Sequence, residues 1–307
     1  MKYAMEERLI WFKGSLVPIK EAKIMAFSPT AQFGLNVFEG IPCYWNPEKK
    51  ELTAFRLDDH YNRLLRSASL LQIECHYSKE QMRKALVETV IANEFDENIN
   101  VRQTLFVDGF GSWYSEGPAE MFVVPTPRRY NNPEYNQSGL KVCISSWRRI
   151  SDNTISPRIK CGANYINSRA GQREAIRNGY DTCLFLNESG HVSESTGSCF
   201  FMIKNKKLIT STLTDSVLES ITRDSVIRIA GDIGYAVEER QIDRTEIYSA
   251  DELFLCGSAM EIRPVISVDG YSFPENKFEI MRIIKEKYHN IVLGQDVMYK
   301  DWVNRIC

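Results

Sequence analysis

One lysine in the middle of the chain has neighbours that suit a reactive amine better than a solvated cation. Lys160 stands in the stretch SPRIKCGANY, between the apolar Ile159 and Cys161 and shortly after Pro157. A lysine amine becomes a nucleophile when its surroundings make the neutral form accessible, and burial favours that form. Position alone also allows a second interpretation, in which Lys160 only caps the end of a strand.

Two further patterns add a carboxylate and an anion site. Glu194 lies in HVSESTGSCFF at the entry to an apolar run, where a carboxylate is costly unless it is paired. Ser220, Ile221 and Thr222 begin the run ITRDSVIRIA, which has the pattern of a helix whose first N–H groups attract anions. Each has an ordinary alternative: an arginine partner for Glu194, and Thr222 as a simple N-cap. An amine, a carboxylate and an anion-binding helix start are together what pyridoxal 5′-phosphate (PLP) requires of a protein.

Six blocks of sequence resemble, in order, the signature blocks of the class IV (fold type IV) aminotransferases, with branched-chain amino-acid aminotransferases as the nearest branch. The blocks are FGLNVFEGI, HYNRLLRSA, KCGANYINS, GHVSESTGSCFF, LESITRDSVIRIA and DELFLCGSAMEIRPV. The resemblance implies a PLP-dependent transaminase that moves an amino group between an amino acid and a 2-oxo acid, with glutamate and 2-oxoglutarate as one pair. It also implies a homodimer or larger homo-oligomer, in which a loop containing Gly111 to Tyr114 completes the neighbouring site.

The resemblance also implies a role for each residue of a cofactor shell. Lys160 would be the catalytic lysine that forms a Schiff base with PLP and shuttles a proton. Glu194 would pair with the pyridine nitrogen, and Tyr165 would donate to the phenolic oxygen. The residues implied to hold the phosphate or to pack on the ring are Arg63, Leu218, Ile221, Thr222 and Ser258.

The implied substrate shell departs from the family pattern. Pro42 stands where branched-chain enzymes usually carry an arginine, and the family's Tyr-Ile-Arg becomes Asn100-Val101-Arg102. Either these changes are neutral in a pocket that still takes leucine, isoleucine and valine, or they select a bulkier or more polar substrate, such as a biosynthetic intermediate. The predicted substrate-binding residues are Phe33, Phe38, Asn100, Arg102, Trp113, Tyr114, Arg128, Ser258 and Ala259.

Two other function classes remain open at this point. The same family contains 4-amino-4-deoxychorismate lyases, which use PLP without an amino acceptor. A cofactor-free binding protein on the same fold is disfavoured, because such a protein would be expected to lose Lys160 or Glu194, and both are present.

The composition excludes several classes of partner. The formal net charge of −2 gives no global field for nucleic acid or an anionic membrane. The four histidines lack metal-ligand spacing, so we expect no metal site. The eight cysteines are scattered, without a CxxC pair, and the N-terminus is a poor signal peptide. These features favour the cytoplasm.

The elements around these residues predict an α/β protein with mixed α+β sheets and two domains, a small N-terminal one and a larger C-terminal one. The resemblance implies that this is the D-amino-acid-aminotransferase-like, fold type IV arrangement. The predicted bounds are 1–127 for the small α/β domain, 128–138 for a linker and 139–307 for the PLP-binding domain. A hairpin is predicted around Gly14, helices after Asp58 or Asp59 and after Ser78, and further helices over GANYINSRAGQREAIRNGY and ITRDSVIRIAGDIG.

Overall fold

The structure is a computed structural model that describes residues 7–128, 139–274 and 278–307. Helices are interspersed among strands along the described residues, and the strands form two sheets. The predicted α/β class with mixed sheets is confirmed. The predicted linker, 128–138, lies outside the described residues except for Arg128.

The chain divides into two compact units that are each built from separated stretches of sequence. Within the described residues, the first unit contains 7–128, Ile159–Ala163 and Ile291–Cys307, and the second contains 139–158 and Asn164–Asn290. Lys160 and the C-terminal residues therefore belong with the N-terminal unit. The predicted domain bounds, which are continuous in sequence, stay a prediction.

The first unit contains one antiparallel sheet. Strands are numbered in chain order, and those of this sheet are β1 (Leu9–Phe12), β2 (Ser15–Pro18), β3 (Asn36–Asn46), β4 (Glu51–Phe55), β5 (Ile99–Val107), β6 (Ala119–Pro127) and β16 (Val303–Arg305). Across the sheet their order is β16-β4-β3-β5-β6-β1-β2, and each neighbouring pair is antiparallel. The hairpin predicted at Gly14 joins β1 to β2 and is confirmed.

The core of the first unit lies on one face of this sheet. Its helices are α1 (Pro29–Phe33), α2 (Leu57–Leu70) and α3 (Lys79–Ala92). Alternate residues of β3 and β5, such as Val37 and Val101, share a buried cluster with Leu64 of α2 and Leu86 of α3. Because side chains alternate across a strand, the intervening residues, Phe38 among them, belong to the opposite face.

The two long helices of this unit begin in different ways. The prediction for α3 is confirmed, because Ser78 and Gln81 form a capping box. The prediction that Asp58 or Asp59 caps α2 is wrong, because α2 begins at Leu57 and follows Arg56 in the left-handed region. The Arg56 N–H donates to the carbonyl of Trp302 at 2.6 Å, so a contact far along the chain fixes this helix start.

The second unit contains a nine-stranded mixed sheet. Its strands are β7 (Leu140–Arg148), β8 (Thr182–Leu186), β9 (Val192–Ser195), β10 (Cys199–Lys204), β11 (Lys207–Thr210), β12 (Val237–Glu239), β13 (Glu252–Gly257), β14 (Glu261–Val268) and β15 (Tyr271–Ser272). The order is β12-β11-β10-β13-β14-β7-β8-β9, with β15 paired to β14. β8 and β13 are buried at every position, as expected of strands covered on both faces.

Four helices accompany this sheet within the described residues: α4 (Asn164–Arg177), α5 (Ile221–Asp232), α6 (Arg244–Ile247) and α7 (Glu279–Val292). The predicted helices over α4 and α5 are confirmed. α4 packs closely against β8 at Gly171, where an added Cβ would lie 2.5 Å from Cζ of Phe185. The Glu252 carboxylate accepts the N–H groups of Ile280 and Met281, both at 2.9 Å, and so caps the start of α7.

All eight cysteines are free. Burial raises the pKa of the Cys43 thiol and that of the Cys183 thiol to about 12, so these thiols stay protonated at neutral pH. In the part of the chain that the structure describes, no helix has both the length and the apolarity needed to cross a membrane.

Candidate functional site

The segment Ile159–Ala163 is held against β3 of the first unit. Cys161 forms an antiparallel bridge with Val37, and the Phe38 N–H donates to the Lys160 carbonyl at 3.0 Å. The Lys160 N–H donates to the Ser67 hydroxyl of α2 at 3.2 Å. The backbone of Lys160 is thus fixed on both sides.

Gly162 is required by the close approach of this segment to β3. A Cβ added at Gly162 would lie 2.9 Å from Oδ1 of Asn36, closer than real Cβ contacts. A side chain at position 162 would collide with the Asn36 side chain, so the glycine in KCGANY lets the lysine segment lie close to β3.

The Lys160 side chain reaches an aromatic ring that a second cation also contacts. Nζ of Lys160 lies 5.0 Å from the Phe38 ring centroid, and Cζ of Arg102 lies 3.6 Å from the same centroid. Gly40 is the register partner of Arg102, and a Cβ added at Gly40 would lie 3.4 Å from Nδ2 of Asn100. The structure thus groups three predicted residues: Lys160, Phe38 and Arg102.

Arg63 takes part in a buried network of three charged or titratable side chains. Its Nε donates to Oε1 of Glu39 and its Nη2 to Oε2, each at 2.7 Å, which is a fork-on-fork ion pair. Nδ1 of His60 lies 2.7 Å from Oε2 of the same carboxylate. Glu39 and His60 are 0% exposed and Arg63 is 4% exposed, so the guanidinium is held in one plane without help from solvent.

The protonation states in this network follow from burial and charge. Burial alone would raise the pKa of Glu39, but the Arg63 guanidinium and the His60 ring together lower it far below its ordinary range. Burial lowers the pKa of His60, with Glu39 opposing that shift. His60 is therefore a neutral ring whose Nδ1–H donates to an ionised Glu39.

The remaining predicted residues of this sheet lie on the Phe38 face or next to it. Asn100 is the register partner of Pro42, and both lie in the row that contains Gly40 and Arg102. Arg128, predicted to meet substrate, is only 5% exposed, and its Cζ lies 4.9 Å from the Tyr44 ring centroid. Its backbone N–H donates to the Asn98 carbonyl at 3.0 Å, so Arg128 extends the strand register beyond β6.

Three predicted aromatic residues of the first unit are exposed. Trp113 and Tyr114 are 71% and 72% exposed and contact each other edge to face, with centroids 5.1 Å apart. Phe33 ends α1 and is 50% exposed. Nearby in sequence, the exposed Phe110 stacks on Phe27 at 5.5 Å. Exposure of so many large rings is unusual for a surface that stays in water.

In the second unit, Glu194 lies on β9 and is almost fully buried. Its Oε1 accepts from Nε and Nη2 of Arg149 at 3.0 and 2.8 Å. Its Oε2 accepts from the Leu218 N–H at 3.3 Å and from the Cys199 thiol at 3.8 Å. The arginine partner considered for Glu194 is thus present, and one carboxylate oxygen carries most of that pairing.

The start of α5 has the geometry of an anion site. Ser220 is the N-cap, and its hydroxyl accepts from the Arg223 N–H at 3.2 Å, so the interpretation of Thr222 as N-cap is wrong. Ile221 and Thr222 are the first two residues of α5 after this N-cap, where the positive end of the helix dipole attracts anions. Leu218 lies just before them, and its carbonyl accepts from the Ser220 N–H at 2.7 Å.

Three more predicted residues lie elsewhere in the second unit. Tyr165 is on the first turn of α4 and is 38% exposed. Ser258 and Ala259 occupy the turn between β13 and β14, which the Met260 N–H closes by donating to the Gly257 carbonyl at 3.2 Å. The structure therefore brings Glu194 into contact with Leu218. Tyr165 lies on α4, and Ser258 and Ala259 lie in the turn between β13 and β14.

The donor set fits PLP by its chemistry. The first unit supplies a lysine amine and a guanidinium that is already oriented by a buried carboxylate. The second unit separately contains a buried carboxylate and the start of α5, where backbone N–H groups and the helix dipole suit a phosphate. A nucleophile, an acceptor for a pyridine nitrogen and an anion site are the groups that this cofactor needs.

Three residues of these networks were not found from the sequence: Glu39, His60 and Arg149. Glu39 and His60 stand inside the quoted blocks NVFEG and HYNRL, and the spacing of His60 and Arg63 places both on one helix face. That spacing was the available signal. Nothing in the sequence near Arg149 points to Glu194, because Arg149 follows the end of β7 whereas Glu194 lies on β9, 45 residues further along the chain.

Comparisons with known proteins agree on one family. The family model for amino-transferase class IV matches residues 36–268. The branched-chain-amino-acid aminotransferase of Escherichia coli (strain K12) is 31% identical over 303 residues, which cover 97% of each chain.

Solved structures give the same result. The branched-chain aminotransferase of Thermoproteus uzoniensis with norvaline is 36% identical, with a TM-score of 0.92 over 98% of this chain and 99% of that one. The branched-chain amino acid aminotransferase of Thermobaculum terrenum in PLP form is also 36% identical, with a TM-score of 0.92 over 99% and 100% of the two chains.

Proposed function

The chain belongs to the class IV aminotransferase family and is a PLP-dependent transaminase, and from this premise we propose that it transfers amino groups between branched-chain amino acids and 2-oxoglutarate. The family, the fold type, the enzyme class and the cofactor predicted from the sequence are thereby confirmed. The residues that carry out the reaction, its substrates and its assembly are part of the proposal.

One observation carries the catalytic assignment: the way Lys160 is held. Its backbone carbonyl accepts from β3 and its N–H donates to α2, while Nζ lies 5.0 Å from the Phe38 ring centroid. A strand-capping lysine would extend into water. This lysine instead has a fixed backbone and a side chain directed at an aromatic ring, which is the arrangement of a positioned nucleophile.

The cofactor assignment follows the chemistry of each group. Lys160 would bind the aldehyde carbon, Glu194 would accept from the pyridine nitrogen and Tyr165 would donate to the phenolic oxygen. Arg63, Ser258 and the N–H groups that begin α5 would hold the phosphate, and Leu218 would pack on the ring. When bound, PLP supplies a ring that accepts electrons from the substrate's α-carbon.

The protein's own part in the reaction is acid–base chemistry at one amine. Once substrate occupies the site, Nζ of Lys160 in its neutral form would take the proton from the substrate's α-carbon and deliver a proton to the C4′ carbon of the cofactor in the same half-reaction. The reverse half-reaction would move a proton the opposite way. Glu39 and His60 keep Arg63 oriented through this cycle, because their hydrogen bonds fix the guanidinium plane.

The sheet face around Phe38 supports an aliphatic substrate as the first candidate and a more polar one as the second. Phe38 and Pro42 are buried apolar residues on this face of β3, and Pro42 stands where the family usually has an arginine. The specific observation for the second candidate is Arg102, whose exposed guanidinium on the same face can pair with a distal carboxylate.

A single-turnover screen of amino donors tests this proposal. The PLP-loaded protein is mixed with one amino acid at a time, without an acceptor, and the visible absorbance band of the bound cofactor is followed. We expect fast loss of the band with leucine, isoleucine, valine and glutamate. Loss of the band only with aromatic or other dicarboxylic donors would instead assign the altered residues Pro42, Asn100, Trp113 and Arg128 to a different substrate.

The same preparation separates a transaminase from a lyase of the 4-amino-4-deoxychorismate type. A transaminase without acceptor stops after one turnover per site, whereas a lyase continues because it needs no second substrate. We expect turnover to resume only when 2-oxoglutarate is added.

The exposed aromatic residues also lead us to propose a homodimer or larger homo-oligomer. Trp113, Tyr114, Phe27 and Phe110 form two ring pairs on the first unit. Burial of such rings at an interface removes apolar area from water, and aromatic residues are enriched in interface cores.

We therefore expect analytical ultracentrifugation at micromolar concentration to give a dimer or a larger assembly. Trp113→Ser combined with Tyr114→Ser should weaken the assembly and, if this loop completes the neighbouring site, raise the substrate KM. A stable and fully active monomer at the lowest measurable concentration contradicts the proposal.

The proposed compartment is the cytoplasm. The support is the set of eight cysteines, all of them free, in a chain with a metabolic-enzyme fold. Cell fractionation followed by thiol labelling tests this placement, and labelling of all thiols only after reduction would contradict it.

A further inference from the structure

We propose that Arg149 is the positioning residue that holds the Glu194 carboxylate as an oriented acceptor for the pyridine nitrogen of the cofactor. This inference rests on the proposed function, which gives Glu194 its role. Arg149 itself would not contact the reacting atoms, and it would act only through Glu194.

The two carboxylate oxygens of Glu194 have different hydrogen-bond partners. Two of the three guanidinium nitrogens of Arg149 donate to Oε1, Nε at 3.0 Å and Nη2 at 2.8 Å. Oε2 accepts from two weaker partners, the Leu218 N–H at 3.3 Å and the Cys199 thiol at 3.8 Å. The guanidinium thus satisfies one oxygen and leaves Oε2 with capacity for a stronger donor, such as a protonated ring nitrogen.

Arg149 is itself fixed by hydrogen bonds from its backbone and from its guanidinium. Its backbone N–H donates to the Leu186 carbonyl of β8 at 2.9 Å. Its Nη1 donates to Oδ1 of Asn167 on α4 at 3.1 Å, and the Asn167 amide donates in turn to the Arg148 carbonyl at 2.9 Å. A guanidinium that is held through its backbone and through Nη1 has little freedom, so it transmits a defined position to Glu194.

Removing the Arg149 side chain would leave the buried Glu194 carboxylate without its guanidinium partner. Arg149 and Glu194 are 7% and 4% exposed, so a carboxylate without this partner would be expensive to keep charged at that position. A carboxyl group that takes up a proton offers an O–H where the pyridine nitrogen needs an acceptor. Loss of Arg149 should therefore weaken the cofactor's hold and change its electronic state.

The test uses the purified full-length protein and PLP itself. Apoprotein of Arg149→Met is titrated with PLP, and the dissociation constant and the visible spectrum of the bound cofactor are recorded. We expect the dissociation constant to rise by about 10- to 100-fold, the range seen when an outer partner of a binding residue is removed. The absorbance maximum or its pH dependence should also change.

The neighbouring arginine gives a matched control. Arg148 is exposed and precedes Arg149 directly, so Arg148→Met removes the same charge from the same strand end. We expect that variant to change the dissociation constant by no more than about twofold, as is usual for exposed positions. An equal loss in both variants would overturn the inference, since net charge alone would then explain it.

Arg149→Lys keeps the test decisive if the methionine variant does not fold. Lysine retains the positive charge but lacks the planar guanidinium fork, so the protein should fold while the spectrum of bound PLP still changes. A lysine variant with wild-type affinity and a wild-type spectrum would show that orientation by Arg149 is not needed, and would overturn the inference.

Glu194→Gln separates this inference from the proposed function. If the glutamine variant binds PLP with unchanged affinity and spectrum, the role proposed for Glu194 is wrong and this inference is wrong with it. If Glu194→Gln is impaired and Arg149→Met is not, only the role of Arg149 is wrong. We expect both single variants to be impaired, and Arg149→Met to add little when Glu194 is already glutamine.

Discussion

Replacing Lys160 by alanine is expected to lower the rate of the half-reaction by about 10²- to 10⁴-fold, the range that a positioned acid–base group contributes. The variant retains the other side chains proposed to hold PLP, so it should still bind the cofactor, although without a covalent bond. Rapid-mixing absorbance with leucine measures the rate, and borohydride reduction followed by denaturation and gel filtration measures the covalent fraction of PLP. Added methylamine should restore part of the rate, because it supplies the missing amine.

A surface lysine provides the control for this substitution. Lys84 on α3 is 77% exposed and only pairs with Glu88 at 3.8 Å, so Lys84→Ala should leave the half-reaction rate unchanged. If Lys160→Ala kept covalent PLP and a normal rate, another lysine would have to be the nucleophile. The assignment made from SPRIKCGANY would then be wrong.

Replacing Glu39 by glutamine is expected to lower the free energy of unfolding by about 3–5 kcal/mol, the usual cost of breaking a buried ion pair from one side. Glutamine has nearly the same volume, so the loss comes from charge and not from a cavity. The Arg63 guanidinium would keep its buried position but lose the charged acceptor of its Nε and Nη2 bonds, since both residues are almost fully inside. Urea unfolding followed by circular dichroism measures the change.

The double variant distinguishes an ion pair from a general packing defect. Glu39→Gln combined with Arg63→Met removes both charges, and it should be less destabilised than the sum of the single variants. An exposed pair provides the comparison: Glu88→Gln should cost no more than about 0.5 kcal/mol. Equal costs for the buried and the exposed substitution would contradict our account of the network.

The same network makes stability depend on pH in a defined direction. Burial lowers the pKa of His60 below its ordinary value of 6.5, and the pKa of Glu39 lies below its ordinary 4.5 because Arg63 and His60 outweigh the effect of burial. The unfolded chain therefore binds protons at both groups before the folded protein does. Stability from His60 should be lost as the pH falls below 6.5, and stability from Glu39 as it falls below 4.5.

His60→Asn should remove the first of these losses. Nε2 of His60 is buried and makes no hydrogen bond within the described residues, so a charged ring would gain no acceptor there. Urea unfolding at pH 7.5 and pH 5 should show a smaller difference in the variant than in the wild type. An unchanged difference would mean that other groups set the acid sensitivity.

Local patterns of the sequence were enough for the elements whose cause is local. The hairpin at Gly14 and the capping box at Ser78 follow from side chains within a few residues, and both predictions are confirmed. The start of α2 was predicted wrongly for the opposite reason. Arg56 adopts a left-handed conformation that is supported by the Trp302 carbonyl, a contact that no local pattern contains.

The residues of the candidate site also differ in whether a local pattern of the sequence reveals them. Lys160 and Glu194 could be selected because a lone lysine and a carboxylate beside apolar runs are unusual on their own. Arg149 could not, because its pairing with Glu194 joins the residue that follows β7 to strand β9, and the two are far apart in sequence. The burial of Arg128 against Tyr44 was missed because its strand continues past β6 through a bond to Asn98.

The segmented first unit also bears on the order in which the chain can mature during synthesis. A ribosome makes β4 long before its outer neighbour β16, and the Ile306 N–H beside β16 donates to the Leu52 carbonyl at 2.8 Å. Until then β4 is an open sheet edge, which is where nascent chains associate wrongly. The three-residue strand β16 therefore closes that edge only after all the other strands of the sheet have been made.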